Sequence, residues 1–379
     1  MERIKGDARY NLKNLLFLTA VLKVLVLLVI AAGAFLFPFN SANYYANFTY
    51  PFQAPPDLWT HYKTWDGQIY LYLSQEGYRP GHMANAFYPL FPFLIKIMGR
   101  LLGGNDLLAA LLISHLLTFG AMAYLFLIFR ETLDAREAFL ACLFILTFPT
   151  AFFMGLIYTE SLFLCLIGGL WFHARRGDWK PALFFAFLLP LTRPTGILLI
   201  PPLMVLLWER GRAGGRRAAS FSLGGILLGF LTYLGLMRYW TGDPFASFAA
   251  QKYFVGNFSV GHFFQPWGVF LHGFFNLGEG NIGLECALLN RVLFLGLLTV
   301  LVAGWRSMGR AEWVYLAVMV LVPALSGNLI PYSRYALVLF PFFAFLARRW
   351  SGREGIFLAA STVLQVILAL EYSLDYYIS

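Results

Sequence analysis

Asn14 to Phe37 reads NLLFLTAVLKVLVLLVIAAGAFLF, with Lys23 its one charge, and this stretch decides the fold class. About 20 mostly apolar residues suffice for a helix to cross the hydrocarbon core of a bilayer. A secretory signal core is shorter and ends in a small-residue cleavage site. The run is too long for that and leads instead into Pro38 and Phe39. It reads as a retained first span, preceded by the basic segment Met1 to Lys13.

The rest of the chain has the same character. Of its 379 residues, 59% are hydrophobic and only 12% charged, where a soluble domain carries about a quarter charged residues. Such a chain cannot cover a water-facing surface. Ten further apolar stretches follow, at 107–129, 137–154, 160–174, 180–192, 195–208, 219–239, 284–304, 312–328, 336–347 and 355–372. Two of them are broken near Pro190, Pro201 and Pro202. Phe87 to Gly103 is different: its apolar core is short, and Lys96 and Arg100 share one helical face, as in a re-entrant or interfacial helix.

Charge parity supports leaving that stretch outside the count of spans. The basic clusters within 1–13, 130–136, 175–180, 210–217, 306–310 and 348–353 hold 18 of the 28 Lys and Arg. They all fall on the inner side if there are eleven crossings, with the N-terminus inside. A crossing at Phe87 to Gly103 would put every later cluster outside. The net charge of +9 is therefore a topology signal. Nucleic-acid binding, which needs basic residues on one exposed face, is excluded. Cys142, Cys165 and Cys286 lie far apart in or beside apolar runs and read as small hydrophobes. The expected fold is an all-α polytopic membrane protein, one domain over 1–379. Two hydrophilic segments, 38–106 and 239–283, form its outer loops. In the first, Leu58, Tyr62, Trp65, Ile69 and Tyr72 recur at helical spacing, which predicts an amphipathic helix lying in the interface.

No Walker loop, dinucleotide fingerprint, HExxH or CxxC pair is present, so chemistry must come from polar groups in costly places. Asp66, inside an aromatic interfacial segment, reads either as a proton acceptor for a substrate hydroxyl or as a loop carboxylate or helix cap. Glu160 opens a span, where a carboxylate is favoured by the helix N-terminus; the alternative is an acceptor for a sugar or a cation. Arg193 falls between two short spans and Arg334 at the outer end of another. Each suits a phosphate, or snorkels, or pairs with Glu160 or Asp66. Lys252 and His262, in the second outer segment, are further candidates for phosphate. These groups suit a sugar plus a phosphate, and an anion transporter almost equally.

Several short motifs carry a resemblance. Trp65-Asp66-Gly67 with Tyr70, then Ala86-Phe87-Tyr88-Pro89-Leu90-Phe91-Pro92, resembles the first luminal loop of the PIG-V family of dolichol-phosphate-mannose-dependent mannosyltransferases and their bacterial relatives. The likeness continues through Phe148-Pro149-Thr150, Tyr158-Thr159-Glu160-Ser161, Arg193-Pro194-Thr195-Gly196, Thr241-Gly242-Asp243-Pro244 and Ser333-Arg334-Tyr335. The resemblance implies a GT-C architecture, with short interfacial helices in the first outer loop. It also implies an inverting hexosyl transfer, mannose first among the sugars, from a polyprenyl- or dolichyl-phosphate donor to a glycolipid or glycan acceptor. Asp66 would be the catalytic base. Arg193 and Arg334 would hold the leaving phosphate, and Glu160, Lys252, His262, Trp65, Tyr70 and Tyr88 would contribute to substrate binding. No metal and no cofactor are expected. A prokaryotic relative would work in the plasma membrane, with its site on the extracytoplasmic side and its N-terminus in the cytoplasm. Two other readings stand beside it: a flippase of a lipid-linked anion, and a subunit that needs a catalytic partner.

Overall fold

The N-terminal apolar run forms helix α1 (Leu12–Leu36), opened by Asn11, whose side chain accepts from the Asn14 N–H. In the computed structural model, residues 9–209, 213–254, 265–275, 284–325, 329, 332–350 and 352–376 are described. Among them no strand occurs, and the protein is an all-α polytopic membrane protein.

Segment 38–106 contains α2 (Ser41–Ala46), a 3-10 turn at Leu58–Tyr62, α3 (Asp66–Glu76), a second 3-10 turn at Met83–Ala86 and α4 (Leu90–Leu101). The single amphipathic helix expected through Leu58 to Tyr72 is therefore two elements. Asp57 and Thr60 close a capping box around the first turn, and the Tyr62 hydroxyl is drawn to the Leu27 carbonyl, 3.2 Å away on α1. At Trp65 the backbone turns to φ 55°, far from the negative φ of α- and 3-10 helices, and α3 starts afresh at Asp66.

Helix α4 has twelve residues, roughly 18 Å at 1.5 Å per residue, too short to cross a bilayer alone. It buries Phe91, Ile95 and Gly99 and leaves Phe93, Ile97 and Leu101 exposed along the other face. Its seam with the next helix is fixed by the buried Asp106, which accepts from Ser74 Oγ at 2.7 Å and sits where a side chain at Gly99 would have to go.

The bundle continues with α5 (Asp106–Phe129), α6 (Ala135–Leu146), α7 (Glu160–Arg176), α8 (Trp179–Leu188), α9 (Ile200–Glu209) and α10 (Ala213–Thr241). Helix α7 is buried almost all round, which explains its apolar residues on every face. Helix α10 lies close against α8 because Gly225 and Gly229, one turn apart, leave room for the backbone at Leu183 and Phe187. This is the small-residue spacing that lets membrane helices approach. The chain then runs through α11 (Ala246–Ala250), α12 (Pro266–Phe275), α13 (Leu284–Gly304), α14 (Arg310–Leu325), α15 (Tyr332–Leu337) and α16 (Phe340–Arg349) to α17 (Glu354–Ser373), which returns to pack on α1.

Each of the eleven apolar stretches carries helix. Among the described residues, five helices are long and apolar enough to cross a membrane; the others in these stretches have 10 to 17 residues. Contacts bring several of the basic clusters together. Arg175 pairs with Glu131 and Glu312 at 3.3 and 2.9 Å, Arg136 pairs with Glu354, and Arg348 donates to the Thr132 carbonyl. These basic clusters meet at one end of the bundle. Asp66 of segment 38–106, Glu160, Arg193 and Arg334 meet at the other.

Candidate functional site

Asp66 is the first residue of α3, and three contacts from the end of α17 hold the loop before it. Thr64 Oγ1 donates to the Tyr372 carbonyl at 3.0 Å, and the Tyr372 hydroxyl donates back to the Thr64 carbonyl at 3.0 Å. Trp65 Nε1 donates to the Tyr376 carbonyl at 3.1 Å. Between these anchors Trp65 keeps its positive φ, a conformation that costs a bulky residue about 1–3 kcal/mol and persists only where surroundings over-determine it. Trp65, a substrate-binding candidate in the sequence, also anchors the loop that precedes Asp66.

Arg334 comes from the far end of the chain. Helix α15 is pinned by the Ser333 N–H donating to Asn290 Oδ1 at 2.7 Å and by Thr150 Oγ1 donating to the Ser333 carbonyl at 3.1 Å. From there the guanidinium lies over the rings of Tyr158 and Phe153, at 4.7 and 4.9 Å. Its Nη1 donates to Asp66 Oδ2 at 2.9 Å and its Nε to Glu160 Oε1 at 2.8 Å. Arg193 reaches the same Glu160 oxygen with Nη2 at 2.6 Å, and its Nε donates to Thr159 Oγ1 at 2.6 Å. The turn that aims Arg193 depends on Gly196, where a Cβ would lie 2.6 Å from the Leu189 backbone. Tyr70 joins from α3, its hydroxyl 3.5 Å from Thr159 Oγ1. Burial pushes that phenol well above its ordinary pKa, so it serves as a neutral donor.

The result is a chain of charges: Asp66, Arg334, Glu160, Arg193. Glu160 is fully buried at the centre. Asp66 lies at the edge with its side chain 25% exposed, and only Oδ2 is committed to Arg334. Two guanidiniums face two carboxylates, so the four side chains are balanced in charge. Each arginine keeps a nitrogen outside these contacts. Such a group can present a carboxylate to an incoming hydroxyl and donors to an oxyanion beside it.

The other candidates lie elsewhere. The Tyr88 ring stacks on Tyr233 with centroids 4.3 Å apart and ties the first outer segment to α10. Lys252 lines a cleft between the two outer segments, not the arginine cluster. His262 lies outside the described residues. Sequence reading missed Thr159 as a ligand of Arg193, although it stands inside one of the quoted motifs. Among the described residues no three His, Cys, Asp or Glu side chains converge as a metal-ligand set.

Two solved structures similar to the chain are of the Archaeoglobus fulgidus oligosaccharyltransferase. The one tethered to an acceptor peptide matches at 13% identity over 96% of this chain and 56% of that one, TM-score 0.48. The one with zinc and sulfate matches at 15% identity over 94% and 53%, TM-score 0.44. The chain thus spans about half the length of these matches. No curated protein matches it in sequence. Residues 84–236, the part that carries Tyr88, Glu160 and Arg193, match the family model of the dolichyl-phosphate-mannose-protein mannosyltransferases, so this integral membrane protein contains a segment similar to a glycosyltransferase family.

Proposed function

We propose that the chain is an inverting membrane glycosyltransferase of GT-C type. It takes a hexose, mannose first among the candidates, from a polyprenyl- or dolichyl-phosphate donor and transfers it to a hydroxyl of a glycolipid or glycan acceptor at the outer membrane face. The observation that carries this reading is the half-open Asp66 held by Arg334, with Arg193 joined to the same site through Glu160. The family match over 84–236 supports the reaction class. The alternation of basic clusters supports the orientation and the count of eleven crossings.

In the proposed step the acceptor oxygen attacks the anomeric carbon while Asp66 takes its proton. The bond from that carbon to the phosphate oxygen breaks, and its electron pair leaves with the lipid phosphate. Negative charge therefore grows on the phosphate oxygens as the sugar ring becomes positive. The uncommitted nitrogens of Arg334 and Arg193 would stabilise that growing charge. Glu160 would keep both arginines in place between turnovers.

The test is turnover of labelled polyprenyl-phosphate-mannose by the purified protein, with lipid phosphate release and sugar transfer as readouts. Asp66→Asn should lower the rate by roughly 10²–10⁴-fold, the span of a general base, while the protein stays folded. Equal rates would remove Asp66 from the mechanism. One observation favours a second reading, a carrier of a lipid-linked anion: Lys23, 2% exposed, sits in the middle of α1, and a charge within a span is a functional candidate in transporters. Movement of a labelled lipid phosphate across vesicles, with no sugar transfer, would select it.

A further inference from the structure

A second polar site lies between the two outer segments. The turn around Gly81 and the 3-10 turn Met83–Ala86 face α11 and the 3-10 turn Gln251–Tyr253 across a cleft. Small residues, Gly81, Ala246 and Ala249 among them, leave it open. Its polar lining carries both kinds of hydrogen-bonding group. His82 Nδ1 accepts from the Ala84 N–H at 3.1 Å, and burial lowers the pKa of the ring, so the neutral imidazole holds its proton on Nε2 as a donor. Lys252 is exposed, with its ammonium 5.1 Å from the Tyr253 ring. On the acceptor side, Asp243 commits Oδ1 to the Phe245 N–H at 2.9 Å and has Oδ2 outside that bond. Asn85 is 1% exposed. Its amide nitrogen donates to the Arg79 carbonyl at 2.7 Å, which fixes the orientation of the group, and its Oδ1 has no hydrogen-bond partner.

This inventory discriminates between ligand classes. An anion would meet Asp243 beside Lys252, and a cation would meet Lys252 beside Asp243. A neutral polyhydroxyl ring satisfies both, because each hydroxyl donates and accepts, and the Tyr253 ring offers it an apolar face. The cleft also connects to the charged cluster. Phe254 meets Phe87 at 5.6 Å and Phe87 meets Tyr70 at 5.1 Å, and Tyr70 reaches Thr159, the partner of Arg193.

We propose that this cleft binds a sugar unit of the acceptor, one removed from the hydroxyl that reacts, through Lys252, Asp243, His82 and Asn85. The assignment rests on the transferase reading. It takes Lys252 away from the donor phosphate and gives it to the acceptor. Binding energy from a remote part of a substrate is then available to position the reacting part.

The experiment measures binding of methyl α-mannoside and α-mannobiose to the purified full-length protein by saturation-transfer NMR and titration, with inorganic phosphate as competitor. Wild type and Asp66→Asn should bind the sugars alike, and phosphate should not displace them. Lys252→Ala, at an exposed position that folding does not need, and Asp243→Ala should each weaken binding about tenfold. Both should raise the KM for acceptor while leaving the KM for donor unchanged. Sugar binding indifferent to both variants, or displaced by phosphate, overturns the proposal. Sugar binding lost in the cleft variants of a protein that never releases lipid phosphate overturns the acceptor role and the transferase reading together. Turnover that depends on Asp66 but ignores the cleft variants overturns the cleft alone.

Discussion

Lys23 and Arg334 are both cations enclosed in an apolar bundle, and the structure treats them in opposite ways. The Lys23 ammonium donates to one backbone carbonyl, that of Ala151 at 2.9 Å, and among the described residues no carboxylate pairs with it. That carbonyl belongs to the 3-10 segment Ala151–Gly155 between α6 and α7, where helical hydrogen bonding is interrupted and backbone acceptors need other donors. Arg334 instead serves two carboxylates, with a third group, Arg193, sharing one of them. A guanidinium has a planar fork that can face two acids at once, while an ammonium is a point charge on a flexible stem. One cation is a strut for the backbone; the other belongs to a charge-balanced cluster whose edge, at Asp66, is partly exposed.

The difference is largest at Glu160. Removing it as Glu160→Ala leaves two guanidiniums enclosed with only Asp66 and Thr159 to face them. Taking one partner from a buried ion pair costs about 3–5 kcal/mol. We expect a fall in thermal stability in detergent by many degrees, with loss of turnover. A stable, active Glu160→Ala protein would mean that the arginines are not held by this carboxylate. Lys23→Met makes the contrast sharp. Replacing a buried charge that has no counter-ion by an apolar side chain of similar length removes its desolvation cost but orphans the Ala151 carbonyl. The two terms oppose, and the expected change is about 1 kcal/mol or less in either direction, on the scale of one neutral hydrogen bond. Turnover should persist. Lost turnover in a stable Lys23→Met protein would instead favour a transport role for that charge.

How much of this was legible beforehand follows from the same contrast. Asp66, Glu160, Arg193 and Arg334 stand out in the sequence because charges at span ends are costly, and cost marks function. Their mutual pairing, spread over 268 residues of chain, left no local trace and stayed one alternative among several. Apolar runs located the helices, since lipid demands them. The break at Trp65 escaped, because Leu58, Tyr62, Ile69 and Tyr72 keep their helical spacing across it and only the tertiary grip of Tyr372 and Tyr376 explains the turn. Tyr88, marked by its motif, stacks on Tyr233, and Lys252, marked by its loop, lines the cleft beside Gly81, placements that neither signal contains. The close approach of α8 and α10 was written in Gly225 and Gly229, a spacing whose partner no single sequence names.

Asp375 extends the comparison to an anion and gives the smallest expected effect. It lies just past α17, 3% exposed, with φ at 66°, a conformation that Asp and Asn tolerate better than other side chains. Asn43 donates to its Oδ2 at 3.0 Å and to its backbone carbonyl at 2.6 Å, and no cation faces it among the described residues. Burial pushes its pKa up to about 7, against the opposing pull of the Asn43 hydrogen bond. In the unfolded chain the group titrates near the ordinary value of about 4. Between those two values the folded state holds a proton that the unfolded state has lost, so stability must fall as pH rises from about 4 to about 7 and level off above. Asp375→Asn removes this titration, so its stability should lack this component of the fall across that window. Tyr372, three residues before Asp375, and Tyr376, next to it, grip Thr64 and Trp65, so ionisation should also loosen the loop before Asp66. Thermal unfolding in detergent from pH 4.5 to 8 checks the first effect, and hydrogen exchange at the Thr64 to Gly67 amides checks the second. Identical pH profiles for the two proteins would show that Asn43 alone supports the charge. Like Lys23, whose partner is the Ala151 carbonyl, the anion would then need no more than one neutral partner.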